Sequence, residues 1–298
     1  MCSPSLVQPR DVRRLRDLTR YRRTLIRERT AEKQRAGKLL EDAQIKLSAV
    51  VSDIFGMSGR AMLEAMIGGE RNPRALAQLA IGRMRAKLLV LEEALTGHFD
   101  DHHAFICQMM PGRIDNLTRR AAELTARIEE QIAPYAETAA RLDEIPGVGP
   151  TAAQELIAEI GADMTRFPDA AHLVSWAKFA PIDKNSAGKK KGASTGKGNP
   201  WPGATIGEIV SAAARTDTFL AERYQRIARR RGKRRAIVAA GNSVLTIIWH
   251  LLADPAASYH DLGPGYYESR INAQRRQRAL IRQPGQLTGQ KVTFQPAA

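Results

Sequence analysis

Apolar side chains recur at helical spacing along most of this chain. Over residues 10–38 almost nothing breaks a helix, and Leu15, Leu18 and Leu25 share one face with charges on the others, which predicts a long amphipathic helix. That stripe continues through Leu40, Leu47 and Ile54. A second one runs through Leu117, Leu124, Ile128 and Ile132, and both have about the spacing of a heptad, so two helices that pair as a coiled coil are expected. Gly68-Gly69, Asn72-Pro73 and Gly97 punctuate shorter helices between them, and Pro134 marks the end of a helical module over residues 1–134. Residues 135–254 form a second module of helical patterns, interrupted by a Gly/Lys/Ser-rich loop at 185–203 and with little that reads as strand. Residues 255–298 carry Pro255, Gly263-Pro264-Gly265 and Pro284-Gly285 and read as an extended tail, helical only over 271–281. The fold class is therefore mainly α.

The most apolar stretch, residues 236–252, is shorter than a typical membrane span and contains Asn242, Ser243 and His250, so it reads as a buried helix. No membrane partner is expected. Only two cysteines occur, Cys2 and Cys107, without a C-x-x-C pair, which supports neither a disulfide framework nor a cysteine zinc site. The first sixteen residues gain arginines in place of an apolar core, so no secretory signal is expected and a cytoplasmic, nucleoid-associated location follows.

Charge changes the picture most. The formal net charge is +15 and the isoelectric point is near 10.2, which makes a polyanion the expected partner. Residues 10–38 hold twelve Lys/Arg against four acids. Residues 186–235 hold thirteen against Glu208, Asp217 and Glu222. Such local concentration favours nucleic acid over general solubility, because phosphate neutralisation scales with the number of nearby cations.

Three segments carry candidate chemistry. In the first, Leu142 to Ile157, an apolar residue precedes Pro146-Gly147-Val148-Gly149 and an Ala-containing helix, the pattern of a helix-hairpin-helix. Gly147 and Gly149 allow a tight turn and a close backbone approach, and Pro150 or Thr151 can open the second helix, whose free amides can hold a phosphate oxygen. Such a turn can equally serve packing alone. The second segment places Lys189, Lys190, Lys191 and Lys197 around the hydroxyls of Ser194 and Thr195, ahead of Asn199. A hydroxyl there can attack a phosphodiester while lysines stabilise the developing charge; the plainer reading is a basic loop that clamps phosphate, since no histidine or carboxylate base lies nearby in sequence. In the third, Arg229, Arg230, Arg231, Lys233, Arg234 and Arg235 precede the apolar helix. Asp100-Asp101-His102-His103 is not expected to bind a metal, because four consecutive helical residues point in different directions. His172 and His250 lie among apolar neighbours and read as core or boundary histidines.

In order along the chain, several segments resemble the insertion-sequence transposases related to the Piv site-specific invertase. These are Arg16-Asp-Leu-Thr-Arg-Tyr-Arg-Arg23, Phe99-Asp-Asp-His-His-Ala-Phe105, Ile145-Pro-Gly-Val-Gly149, Trp176-Ala-Lys-Phe-Ala-Pro181, Ser194-Thr-Gly-Lys-Gly-Asn199, Ile248-Trp-His-Leu-Leu252 and the closing Lys291-Val-Thr-Phe. The resemblance implies long coiled-coil helices followed by a helical transposase domain containing a helix-hairpin-helix and a basic loop with a nucleophilic serine. It further implies DNA and guide RNA as partners, self-association through the coiled coil, and an amino-terminal RuvC-like nuclease domain that holds Mg²⁺ with four acids. Those acids should end in a D-x-x-D pair just before the segment that here begins near Pro9, where only Asp11 and Asp17 occur, at the wrong spacing. The chain is therefore expected to hold no cofactor of its own and not to transpose alone. Counted without a gap from Gly198-Asn199, the nucleophile falls on Thr195, with the serine one residue earlier at Ser194. Pro202, where a leucine-like residue is expected, is predicted to disturb the exit of the loop.

Overall fold

The computed structural model describes residues 8–186 and 189–269. It is mainly helical, with one two-stranded hairpin, and divides into two compact units: residues 14–133, and residues 134–298 together with the first thirteen.

The unit of residues 14–133 contains most of helix α1 (Arg10–Asp42), then α2 (Leu47–Val50), α3 (Met57–Ile67), α4 (Pro73–Gln78), α5 (Leu88–Ala94), α6 (Asp101–Cys107) and α7 (Met110–Ile132), with a 3₁₀ helix at Gly82–Lys87. The apolar stripe predicted beyond Leu40 does not stay on one helix. α1 stops at Asp42, Gln44 adopts a positive φ of 60°, and Leu47 and Ile54 enter a core built with Met62, Leu63, Leu76, Leu91 and Phe99. α1 meets α7 at Leu25, which packs on Leu117 and Ala121 with Leu124 beside them; further along, Arg29 reaches Thr118 at 3.5 Å and Glu32 reaches Arg113 at 3.8 Å. The charged faces of α1 are not uniformly solvated, since Arg22 and Arg23 are buried.

Asp100 to His103 form the start of α6. Asp100 caps the helix by accepting from the His103 backbone N–H at 3.0 Å, and the His103 ring closes a capping box. Engagement of these two side chains in the cap turns them toward each other and toward the helix start.

The other unit is wound around α9 (Pro150–Ile160) and α13 (Lys233–Ala253). A 3₁₀ turn at Ala133–Tyr135 leads into α8 (Ala136–Asp143); another at Met164–Arg166 precedes α10 (Ala170–Trp176). Then come strands β1 (Ile182–Ser186) and β2 (Lys189–Ser194), α11 (Pro200–Ala213), α12 (Phe219–Arg231), α13 and a last turn, α14 (Tyr266–Ser269). Every residue of α9 from Ala153 to Ile160 is buried. α13 packs against α8, α10, α11 and α12. Its length and composition would allow it to cross a membrane, but Ala236, Ala240, Val244, Leu245, Ile248 and Leu251 are spent on this core.

Three expectations change here. The segment read as a loop from residue 185 contains an antiparallel hairpin, Ile182 opposite Ser194 and Ser186 opposite Lys189, with an irregularity between Asp183 and Asn185. Its lysines and glycines give no alternation of apolar and polar residues, so the pairing rests on backbone hydrogen bonds that no side-chain pattern announces. His172 and His250 are exposed: Asp169 caps α10 and accepts from the His172 N–H at 2.9 Å, which fixes His172 in a solvent-facing first turn. The segment after α13 is irregular, as its prolines and glycines predict, yet it is docked. Arg141 donates to the carbonyls of Asp254 and Ala257, both at 2.7 Å, Asp261 accepts from the Phe219 N–H at the start of α12, and Phe219 meets Tyr266 edge to face and stacks on Tyr267. The predicted helix at 271–281 and the closing Lys291-Val-Thr-Phe lie outside the described residues.

Candidate nucleic-acid interface

The Pro146–Gly149 turn joins α8 to α9 with its two glycines in different roles. Gly147 has a φ of +87°, and a Cβ there would stand 2.4 Å from the carbonyl oxygen of Ile209 and 2.8 Å from the amide of Ala213. The surface it approaches is therefore the backbone of α11. Val148 is buried too. What stays open is the start of α9: Gly149 has no atom near a would-be Cβ, Pro150 and Thr151 are exposed, and no side chain caps the helix. Pro150 occupies the first helical position, so the amides that follow it keep free N–H groups of the kind that hold phosphate oxygens.

The basic hairpin feeds a short irregular stretch, residues 195–199, that ends at the Asn199 cap of α11. Asn199 Oδ1 accepts from the Trp201 N–H at 3.1 Å. Pro200 and Pro202 fall in the first turn of α11, where backbone N–H groups have no intrahelical acceptor, so Pro202 removes no hydrogen bond and is simply buried. The predicted disturbance of the loop exit does not occur.

Two side chains that sequence reading passed over fix this stretch from below. Glu155 and Glu159 lie one turn apart on α9, 8% and 3% exposed. Glu159 accepts from Asn199 Nδ2 at 3.2 Å, and Glu155 accepts from the Thr205 hydroxyl at 2.6 Å. An acid pair spaced by four inside the otherwise apolar run AAQELIAEI was the available signal, since a buried carboxylate needs partners.

Thr195 is exposed and lines a cleft of about 710 Å³ together with Arg223, Arg231, Arg234 and Arg235. These arginines come from two helices that meet at Gly232, whose φ of +84° ends α12 and starts α13. Arg223 is held in place: it donates to the Tyr267 hydroxyl at 2.7 Å and to the Ala239 carbonyl at 3.4 Å. Arg226 lies over the Tyr267 ring at 3.7 Å. Arg231, Arg234 and Arg235 are exposed and pair with no carboxylate among the described residues. Such a cluster repels itself and attracts an anion.

Of the other candidates, Arg229, Arg230, Lys233 and Lys197 are exposed but do not line this cleft. Lys189, Lys190, Lys191 and Ser194 contribute their backbone to β2; their side chains lie outside what is described. Among the described residues no group of three His, Cys, Asp or Glu side chains is placed to hold a metal ion.

No curated protein matches the chain. Residues 139–225 match the family model described as "Transposase IS116/IS110/IS902 family", a stretch that takes in the α8–α9 hairpin, the basic hairpin, α11 and the first half of α12. Over residues 139–225 the chain is thus similar to a transposase-family domain.

Proposed function

We propose that the chain binds DNA and presents a hydroxyl, Ser194 or Thr195, for strand exchange. The observation that carries this reading is the cleft in which exposed Thr195 faces four arginines. In the reaction proposed, the hydroxyl oxygen bonds to a backbone phosphorus, the bridging P–O bond breaks, and the hydroxyl proton passes to the released sugar oxygen. Arginines are suited to this step because their forked donors match the non-bridging oxygens on which charge accumulates. The open start of α9 offers a second, sequence-independent hold on the backbone.

In the family that the chain resembles, the metal-dependent half of such chemistry, two Mg²⁺ ions held by clustered acids, belongs to a RuvC-like nuclease domain. Guide RNA is a second polyanion for the remaining exposed cations, and self-association uses the α1 and α7 pair. A cytoplasmic, nucleoid-associated place accords with these partners. A second reading is a non-catalytic nucleic-acid-binding fragment that modulates full-length transposase, for which the exposed Arg231, Arg234 and Arg235 suffice without any nucleophile.

The two readings part on one experiment. Donor DNA is incubated with the full chain and a supplied nuclease domain, and covalent protein–DNA adducts are counted. The first reading expects an adduct that is lost in Ser194→Ala or in Thr195→Val. Survival of the adduct in both variants removes the nucleophile assignment, whereas DNA binding with no adduct in any protein favours the second reading.

A further inference from the structure

The cleft holding Thr195 is not built like a surface for phosphates alone. Its rim is arginine, but between Arg223 and Arg231 on α12, and beyond Arg235 on α13, its walls are the half-buried apolar side chains of Ile227 and Val238, with Phe179 behind them. Contacts to the phosphates of a paired duplex need donors alone and no apolar floor, since its bases are stacked away from the protein. A concave apolar floor under a cationic rim suits something with a charged edge and an apolar plate. Proteins that hold unstacked nucleotides combine those two features. The volume, about 710 Å³, falls within the roughly 300–1,000 Å³ of clefts that enclose small molecules. Asn242 adds a polar group at the floor: its Nδ2 donates to the Phe179 carbonyl at 3.4 Å, which leaves its amide oxygen to accept from an exocyclic amine.

We infer that this cleft receives one unstacked nucleotide of the DNA, its phosphate on the arginine rim and its base against Ile227 and Val238. The inference rests on the DNA-binding reading above and sharpens it: the substrate at this site is DNA distorted or opened at one position, not a regular duplex.

The test uses the full chain and three labelled oligonucleotides at one salt concentration: a paired duplex, the same duplex with a single unpaired adenine, and the bulged sequence as RNA. A 2-aminopurine placed at the bulge reports the surroundings of the base. Binding of the DNA bulge about tenfold tighter than the paired duplex is expected, the size of effect that one base packed on a side chain gives, together with a change in 2-aminopurine emission on binding. Ile227→Ser and Val238→Ser should each bring the ratio of bulged to paired affinity toward one, with Ile227→Ala as a milder variant and thermal melting as the check on folding. Equal affinity for bulged and paired DNA overturns the nucleotide inference and leaves DNA binding standing, as does an unchanged ratio in folded serine variants. Capture of the RNA bulge in preference to the DNA one overturns the choice of DNA. Failure of the protein to bind any of the three overturns the DNA-binding reading itself.

Discussion

Gly147 and Gly149 stand two positions apart in one turn, and a methyl group separates their roles. At Gly147 the backbone has a φ of +87°, and the added Cβ would overlap the α11 backbone at 2.4 Å. Gly147→Ala should therefore destabilise the protein by about 2–4 kcal/mol, the sum of left-handed strain and a clash that only a backbone shift relieves. Gly149 has an extended backbone, φ −112° and ψ 176°, and open space around it. Gly149→Ala should change stability by no more than about 0.5 kcal/mol, while weakening any DNA held at the start of α9; urea unfolding and a binding titration separate the two effects. That a P-G-V-G run makes a tight turn was legible in the sequence. What the turn packs against was not, because α11 lies some sixty residues further along the chain. Glu159 makes the same point from the polar side. Glu159→Ala removes a buried acceptor for Asn199 and should cost about 1–3 kcal/mol, whereas Glu159→Gln keeps an oxygen for that bond and should cost less. A loss no greater for alanine than for glutamine in urea unfolding would show that the Asn199 hydrogen bond contributes nothing.

At the scale of elements, the arginine-rich face of the cleft depends on two helices and the joint between them. α12 supplies Arg223 and Arg231, and α13 supplies Arg234 and Arg235. Run together in sequence, Arg229 to Arg235 read as one basic stretch. Gly232 divides it, so that Arg231, Arg234 and Arg235 reach the cleft and Arg229, Arg230 and Lys233 do not. Exchanging Arg231, Arg234 and Arg235 together for glutamine should flatten the dependence of log affinity on log salt by about three, roughly one for each phosphate that is no longer neutralised. A slope unchanged in the triple variant would place the DNA elsewhere. The long helices show which signals carry over from sequence. Leu25, Leu117 and Leu124 do meet, but the heptad spacing continues in Leu47 and Ile54 after α1 has ended, because spacing counts residues and says nothing of a turn between them. The basic hairpin was illegible for a different reason: Ile182, Asp183, Asn185 and Ser186 pair through their backbone with Ser194, Ala193, Lys190 and Lys189, a set with no periodic alternation of apolar and polar residues.

The whole molecule is a strongly basic chain whose two units each have a separate interior. Their reporters are already separated. Trp176, Trp201 and Trp249 all belong to the unit formed by residues 134–298, whereas buried Cys107 belongs to that of residues 14–133. Burial pushes the Cys107 thiol up to about 11, so near pH 8 it is protonated and shielded and should resist alkylation until its unit opens. In a urea series, tryptophan emission and Cys107 alkylation should give two midpoints, one for each unit; coincident curves would mean that the units unfold as a single cooperative body. At this scale composition and charge made a polyanion the expected class of partner, since an excess of fifteen positive charges favours one whatever the fold. They did not foresee the cleft, which exists only because Thr195, α12 and α13 converge.

The joint at Gly232 has one more consequence, and it concerns handedness. No atom lies within 4 Å of an L-Cβ built at this position; the objection to an L-residue is the sign of φ alone, +84°. A D-alanine placed there by chemical ligation has the mirror-image preference and would keep the angle between the two helices. An L-alanine of identical volume would swing it. The spacing of the arginine rows can thus be altered by inverting a single stereocentre, with every charge left in place.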